Sequence, residues 1–181
     1  MTHSQTVAST RARQAGAFIH VLLLAATTTL LLTVGVRAIG AHVSLNVTSS
    51  LPRGLYWLSP SRPPARGAVV AFLPPASVRE LVATRHYLPP SVHLLKRVVA
   101  LAGDVVCLDQ RGYSVNGAII DVVAGVDLSG RPLPPPYRFC GLVPPGEAFV
   151  AGHGPSSLDS RYFGPVPLRT LTVAVPLWTY S

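Results

Sequence analysis

Three short stretches of this 181-residue chain place side chains where they could do acid–base and nucleophilic chemistry. Lys96 is the single lysine beside fourteen arginines, and it lies inside the apolar run His93-Leu94-Leu95-Lys96-Arg97-Val98-Val99-Ala100-Leu101. Arginine keeps its proton in a protein, whereas a desolvated lysine can release it, so a lone amine in apolar surroundings is a candidate general base. A serine hydroxyl becomes a useful nucleophile when such a base removes its proton. The stretch Thr48-Ser49-Ser50-Leu51-Pro52-Arg53-Gly54-Leu55-Tyr56-Trp57 offers that hydroxyl, with Pro52 and Gly54 able to fix the turn that presents it. The third stretch, Ser157-Leu158-Asp159-Ser160-Arg161-Tyr162-Phe163-Gly164-Pro165-Val166, adds a carboxylate and a guanidinium.

The elements that must position these groups read as strands. Gly and Pro number 15 and 18, which favours short strands and turns over a helical bundle. Apolar runs mark strands at Gly54–Leu58, Ala68–Leu73, His93–Leu101, Val105–Asp109, Tyr113–Val115, Ala118–Ile120, Ala148–Ala151 and Leu171–Trp178. Asn116-Gly117 between two of them is a hairpin signal. Alternation along His93–Leu101 puts Leu94, Lys96 and Val98 on one face, so the amine shares an apolar wall. Gly103-Asp104 reads as the turn after that strand. Ser77 and Glu80 have capping-box spacing for one short helix through Thr84. Residues 121–146, rich in Gly and Pro, read as an irregular insertion in a mostly β domain spanning 47–181.

Charged residues make up 12% of the chain against about 25% in soluble proteins, which points to lipid. Ala15–Val36 is uncharged and long enough for one membrane-spanning helix, which needs roughly 20 residues. Arg11 and Arg13 precede it and no acid occurs before Glu80, so residues 1–14 are expected in the cytoplasm and the domain outside, although Arg37 opposes this orientation. A cleaved leader is the competing reading; the apolar segment is too long for one and Val36-Arg37-Ala38 is a poor cleavage site, so we read an uncleaved anchor followed by a tether at 37–46. Cys107 and Cys140 are most simply a disulfide outside the cytoplasm, with two separate buried thiols as the alternative. The net charge is +8, but the arginines are dispersed with no basic stripe and interleaved aromatics, which excludes nucleic acid as the expected partner. The histidines are scattered, so neither a metal nor another cofactor is expected.

Taken together, in this order and beyond one apolar segment, the three stretches resemble the type I signal peptidase superfamily. Lys96-Arg97 with Gly103-Asp104 is similar to its K-R-x-x-x-x-x-G-D box, and Ser157, Asp159, Ser160, Arg161 and Gly164 to its S-x-D-S-R-x-x-G box. Two departures, Ser50-Leu51-Pro52 in place of S-M-x-P and Ala151-Gly152-His153-Gly154-Pro155 in place of G-D-N-x-D, resemble the TraF type of conjugative-transfer peptidase. Thr48, Ser50, Pro52, Gly54 and Tyr56 match the T-x-S-x-P-x-G-x-Y pattern of that type.

The resemblance implies a signal-peptidase-like antiparallel β fold carrying a Ser/Lys dyad. Ser50 would be the nucleophile, Lys96 the general base and Asp159 a third functional residue. Thr48 and the Ser50 amide would stabilise the oxyanion, and Ser157 would aim Lys96. The proline spacing of leader peptidases points to Ser49 instead, but puts Val47, which has no donor, at the oxyanion position; Ser50 is preferred. For Asp159 and Arg161 a structural ion pair stands open beside a catalytic role. The implied setting is the bacterial inner membrane with the catalytic domain in the periplasm. The implied partners are a membrane-inserted prepilin or preprotein, the bilayer, and conjugative pilus or type IV secretion components. A general leader peptidase and a non-catalytic scaffold of a pilus or secretion complex are the rivals. An exposed apolar surface around Leu55, Trp57 and Leu58 would suit work beside a bilayer, with a place for those side chains in the core as the alternative.

Overall fold

The structure, a computed structural model, describes residues 20, 22–38, 42–89, 92–109 and 112–180. The chain divides into two compact units, Met1–His42 and Val43–Ser181. In the first unit residues 22–38 are helical (α1). Its threonines turn their hydroxyls back onto the helix, Thr28 Oγ1 donating to Leu24 O at 2.8 Å and Thr29 Oγ1 to Ala25 O at 2.8 Å, so an apolar helix carries them without another partner. Among the described residues no helix is long and apolar enough to cross a membrane. Residues 15–19 and 21 of the expected anchor lie outside the described residues.

The second unit is mostly β, as expected. Its strands are β1 Val43–Asn46, β2 Arg53–Ser59, β3 Val69–Phe72, β4 Leu94–Leu101, β5 Val105–Asp109, β6 Gly112–Val115, β7 Ala118–Asp121, β8 Cys140–Leu142, β9 Glu147–Ala151, β10 Val166–Pro167 and β11 Thr172–Tyr180. A seven-stranded sheet runs β1-β2-β11-β3-β4-β9-β10 and a four-stranded one β7-β6-β5-β8, with antiparallel neighbours. Helix α2 covers Ala76–Thr84, and a single turn, α3, covers Ser160–Phe163.

The long strand β4 serves two cores. Leu94 and Val98 pack with Val70, Phe72, Val150 and Val173, whereas Ala100 packs with Val106, Tyr113, Val115, Val143 and Phe149. The register between β4 and β9 shifts between Val98 and Ala100. One extra residue there re-aims the strand, so Val98 and Ala100 face different clusters despite sharing strand parity. The hairpin forms where Asn116-Gly117 places it: both residues have positive φ, 50° and 82°, as a primed two-residue turn requires. After β4, Asp104 closes the turn by accepting from Leu101 N at 2.8 Å, and Asn116 Nδ2 donates to its other oxygen at 2.9 Å.

Four expectations need correction. The tether ends at residue 42, because Val43–Asn46 pairs with β2 and its buried Ser44 and Asn46 belong to the sheet. The capping box does not form: Pro75 is the N-cap of α2 and Ser77 lies within the first turn, because the proline already fixes an extended residue before the helix. The insertion is not wholly irregular, since Cys140–Leu142 pairs with β5 and a Cys107–Cys140 disulfide joins the two strands. Leu58 is buried against Tyr56, Leu95 and Ala174, while Leu55 and Trp57 point to the other face of β2 and are exposed. Register aligns Val43, Trp57 and Val175, and beside them Leu45, Leu55 and Trp178, so that face is an apolar strip across three strands.

Candidate active site

The loop between β1 and β2 carries Thr48, Ser49 and Ser50. Ser50 is buried, and its Oγ lies 3.0 Å from Thr48 Oγ1. Asn46 and Tyr56, from the strands on either side, both hold the end of the loop: Asn46 Nδ2 donates to Leu51 O and Pro52 O, each at 3.0 Å, and Tyr56 Oη donates to Pro52 O at 2.7 Å. These bonds satisfy carbonyls that no strand ladder reaches. Ser49 is exposed on the same loop.

Lys96 comes from the middle of β4, opposite Val70, and its residue is 4% exposed. Its Nζ donates to Ser157 Oγ at 2.8 Å. Burial lowers its pKa from 10.5 to about 8; the nearby Asp159 charge opposes that shift and the Arg161 charge adds to it. An amine in this range is neutral in useful proportion at mildly alkaline pH, the condition a lysine base requires.

The third wall is the loop from Gly152 to Ser157. Its backbone is tied to the first loop, His153 N donating to Ser50 O at 2.7 Å. The point where a Cβ on Gly152 would sit is 2.5 Å from Ser157 Oγ, 2.7 Å from Ser50 Cβ and 3.1 Å from Lys96 Nζ. The structure therefore brings Ser50, Lys96 and Ser157 around one glycine, with the Thr48 hydroxyl next to that of Ser50. It does not place the Asp159 carboxylate among them. Asp159 is fully buried and bonds instead to Arg161 Nε at 2.8 Å, Arg161 NH2 at 2.7 Å and Gly152 N at 2.9 Å. Arg161, also fully buried, continues to Gly154 O at 2.9 Å and Val122 O at 3.0 Å.

A cleft of about 420 Å³ opens from these groups, bordered by Leu45, Val47 and Thr48 on one side and by Tyr87, Asp127, Leu128 and Arg131 on the other. The second side went unread in the sequence. Asp127 organises it, accepting from Tyr87 Oη at 2.5 Å, from Arg131 Nε at 2.8 Å, and from the Ser129 and Arg131 amides at 2.9 Å each. The signal available was the turn composition Asp127-Leu128-Ser129-Gly130 inside the insertion. Asn46 was also missed; a lone asparagine at a strand end carries no pattern of its own.

Comparison with known proteins bears on this arrangement. Residues 13–178 match the family described as signal peptidase, peptidase S26. A plasmid transfer protein TraF of Escherichia coli is 34% identical over 170 residues, covering 88% of this chain and 94% of the relative. A conjugal transfer protein TraF of Agrobacterium tumefaciens is 35% identical over 158 residues, covering 79% and 86%. The crystal structure of a signal peptidase I from Enterococcus faecalis aligns with a TM-score of 0.37 at 23% identity, covering 62% of this chain and 97% of that one. Given a match that runs from the segment before α1 almost to the end of β11, the chain belongs to the signal peptidase S26 family.

Proposed function

We propose that this protein is a membrane-anchored Ser/Lys endopeptidase of the TraF type that processes a membrane-inserted prepilin for conjugative transfer. Membership of the S26 family makes it a serine peptidase, and the relatives named for plasmid and conjugal transfer support the setting. The observation that carries the dyad is the convergence of Ser50, Lys96 and Ser157 on Gly152, with the amine lowered to about 8. In this reading Ser50 Oγ attacks the scissile carbonyl while the neutral Lys96 amine takes its proton. Ser157 Oγ, bonded to Nζ, aims that amine. The developing oxyanion is received by the Ser50 N–H and the Thr48 hydroxyl, both carried on the loop that presents the nucleophile. Lys96 then returns the proton to the leaving amine, and an acyl-enzyme forms. Water hydrolyses it, or the amino terminus of the pilin attacks and closes a cyclic subunit.

The anchor at 15–36 would set the domain at the periplasmic face of the inner membrane, where substrates inserted in the bilayer present their cleavage sites. The apolar strip of Leu45, Leu55, Trp57 and Trp178 fits that position, and Leu45 also borders the cleft. Exposed apolar area of this kind needs a non-aqueous neighbour more often than it stands alone.

The test is the intact mass of the pilin precursor co-expressed with the wild-type protein, with Ser50→Ala and with Lys96→Ala. Cleavage in the wild type and loss in both variants is expected, and a product lighter by one further water marks cyclisation. Normal processing in both variants would sink the peptidase reading.

A further inference from the structure

We propose that Asn46 is a positioning residue for catalysis, holding the Thr48 hydroxyl in the place from which it serves the oxyanion. The inference rests on the Ser50/Lys96 reading above and extends it to a side chain outside the dyad. Asn46 ends β1 and is buried, 5% exposed, although nothing in the strand ladder requires a carboxamide there. Its Oδ1 accepts from Thr48 Oγ1 at 2.8 Å and from Thr48 N at 3.2 Å. Its Nδ2 faces three carbonyls, Thr48 O at 3.2 Å and Leu51 O and Pro52 O at 3.0 Å each. One side chain thus binds the start, middle and end of the loop that carries Ser50.

The orientation of the amide follows from these partners. A flipped carboxamide would set its NH2 against the Thr48 amide and its oxygen against the three carbonyls, so only one assignment pairs every donor with an acceptor. Proton inventory then fixes the hydroxyls. Thr48 has a single O–H; when it donates to Asn46 Oδ1, its lone pairs accept the Ser50 O–H across the 3.0 Å separation. When Ser50 passes its proton to Lys96, that acceptance ends and the Thr48 hydroxyl can turn toward the oxyanion. Asn46 Oδ1 is not stranded by the turn, because the Thr48 N–H still occupies it. The carboxamide therefore parks the donor beside the reaction centre and releases it without leaving a buried polar atom unpaired, an event that would oppose the step.

A positioning role predicts coupling. The test is a double-mutant cycle on the full-length protein in detergent, reading kcat and KM for the pilin precursor with wild type, Asn46→Ala, Thr48→Val and the double variant, with Ser50→Ala as control and thermal melts to fix the folded fraction. Thr48→Val, which removes the donor, should lower kcat roughly a hundredfold to a thousandfold. Asn46→Ala should lower kcat by about tenfold to a hundredfold with KM little changed, as expected for a misplaced group. In the Thr48→Val background the Asn46→Ala change should add less than about threefold, because the hydroxyl it positions is gone. If Asn46→Ala does not fold, Asn46→Ser, which keeps a hydroxyl over the three carbonyls, takes its place in the cycle. Losses that multiply, or a loss confined to KM, would overturn the positioning role while the dyad stands. Cleavage that survives in Ser50→Ala would overturn the dyad and this inference with it.

Discussion

Replacing Lys96 by methionine should stabilise the fold at neutral pH, and the gain should disappear as pH rises. Lys96 is buried on β4 between Leu94 and Val98 on the same strand face and opposite Val70, and burial lowers its pKa from 10.5 to about 8. In the unfolded chain lysine holds its proton up to about pH 10.4, and in the fold only up to about 8, so between those values the unfolded state binds more protons and stability rises with pH. At pH 7 the burden of a buried ammonium is about 3 kcal/mol; at pH 9.5 about 1 kcal/mol remains. Methionine fills a similar volume and does not titrate, but it gives up the bond to Ser157 Oγ, a loss of about 1 kcal/mol at every pH. The variant should therefore exceed the wild type by about 2 kcal/mol at pH 7 and match it near pH 9.5.

Urea unfolding in detergent, followed by tryptophan fluorescence, measures this directly. Trp57 and Trp178 are the two tryptophans and lie on the adjacent strands β2 and β11 of the seven-stranded sheet. Groups that titrate alike in both proteins cancel in the difference, so only its pH dependence matters. A difference that stays flat from pH 7 to 9.5, or that grows with pH, would refute the buried neutral-prone amine and with it the physical basis for a lysine base. A side chain whose removal stabilises the molecule while abolishing activity is one retained for chemistry.

Activity should follow the same group with the opposite use. With chemistry rate-limiting, cleavage should rise through half its maximum near pH 8, and Lys96→Arg should be as inactive as Lys96→Ala, since arginine cannot take a proton; a pH–rate profile of the three proteins checks both. Gly152→Ala should lower kcat by about a hundredfold, because the new methyl carbon would fall 2.5 Å from Ser157 Oγ and 2.7 Å from Ser50 Cβ; steady-state kinetics showing near-normal turnover would refute the crowding argument. Replacing Cys107 and Cys140 together by serine should lower the unfolding free energy by about 4 kcal/mol on the chain-entropy account of a loop closed across a separation of 33 residues, read as a shift in the urea midpoint with an intact core.

Much of the candidate site was legible because its residues are unusual in their surroundings. A lone lysine within apolar alternation announces itself, and β4 presents Leu94, Lys96 and Val98 as the period of two requires. Asn116-Gly117 announced its hairpin for a similar reason, since few residue pairs accept positive φ twice. The parts that escaped have weak local signals and strong tertiary ones. Val43–Asn46 is only four residues long, and its pairing with β2 is what makes it a strand. Cys140–Leu142 is flanked by prolines and glycine and is held by β5 and the disulfide. Asn46 and Asp127 bond to backbone groups as well as to side chains, and the backbone share of those bonds leaves no partner residue type for a pattern to detect.

The Asp159–Arg161 pair shows why a buried carboxylate next to the site need not be a member of the proton relay. A lone carboxylate near Lys96 would favour the ammonium and hold the base in its inactive form. Here the Asp159 charge does act in that direction, but Arg161 acts against it, and desolvation remains the largest influence on the amine. The two charges also settle the backbone of the third loop: Asp159 takes Gly152 N, while Arg161 takes the carbonyls of Gly152 at 3.2 Å and Gly154 at 2.9 Å. Gly152 is the residue around which Ser50, Lys96 and Ser157 converge, so the pair fixes the one backbone position where displacement would be felt by all three. Removing either partner would leave an uncompensated buried charge, so the pair is costly to break, and with it the bonds that hold the Gly152 backbone. Asp159 and Arg161 thus form a buried ion pair tied to the backbone at Gly152, and their two charges act on the Lys96 amine in opposite directions.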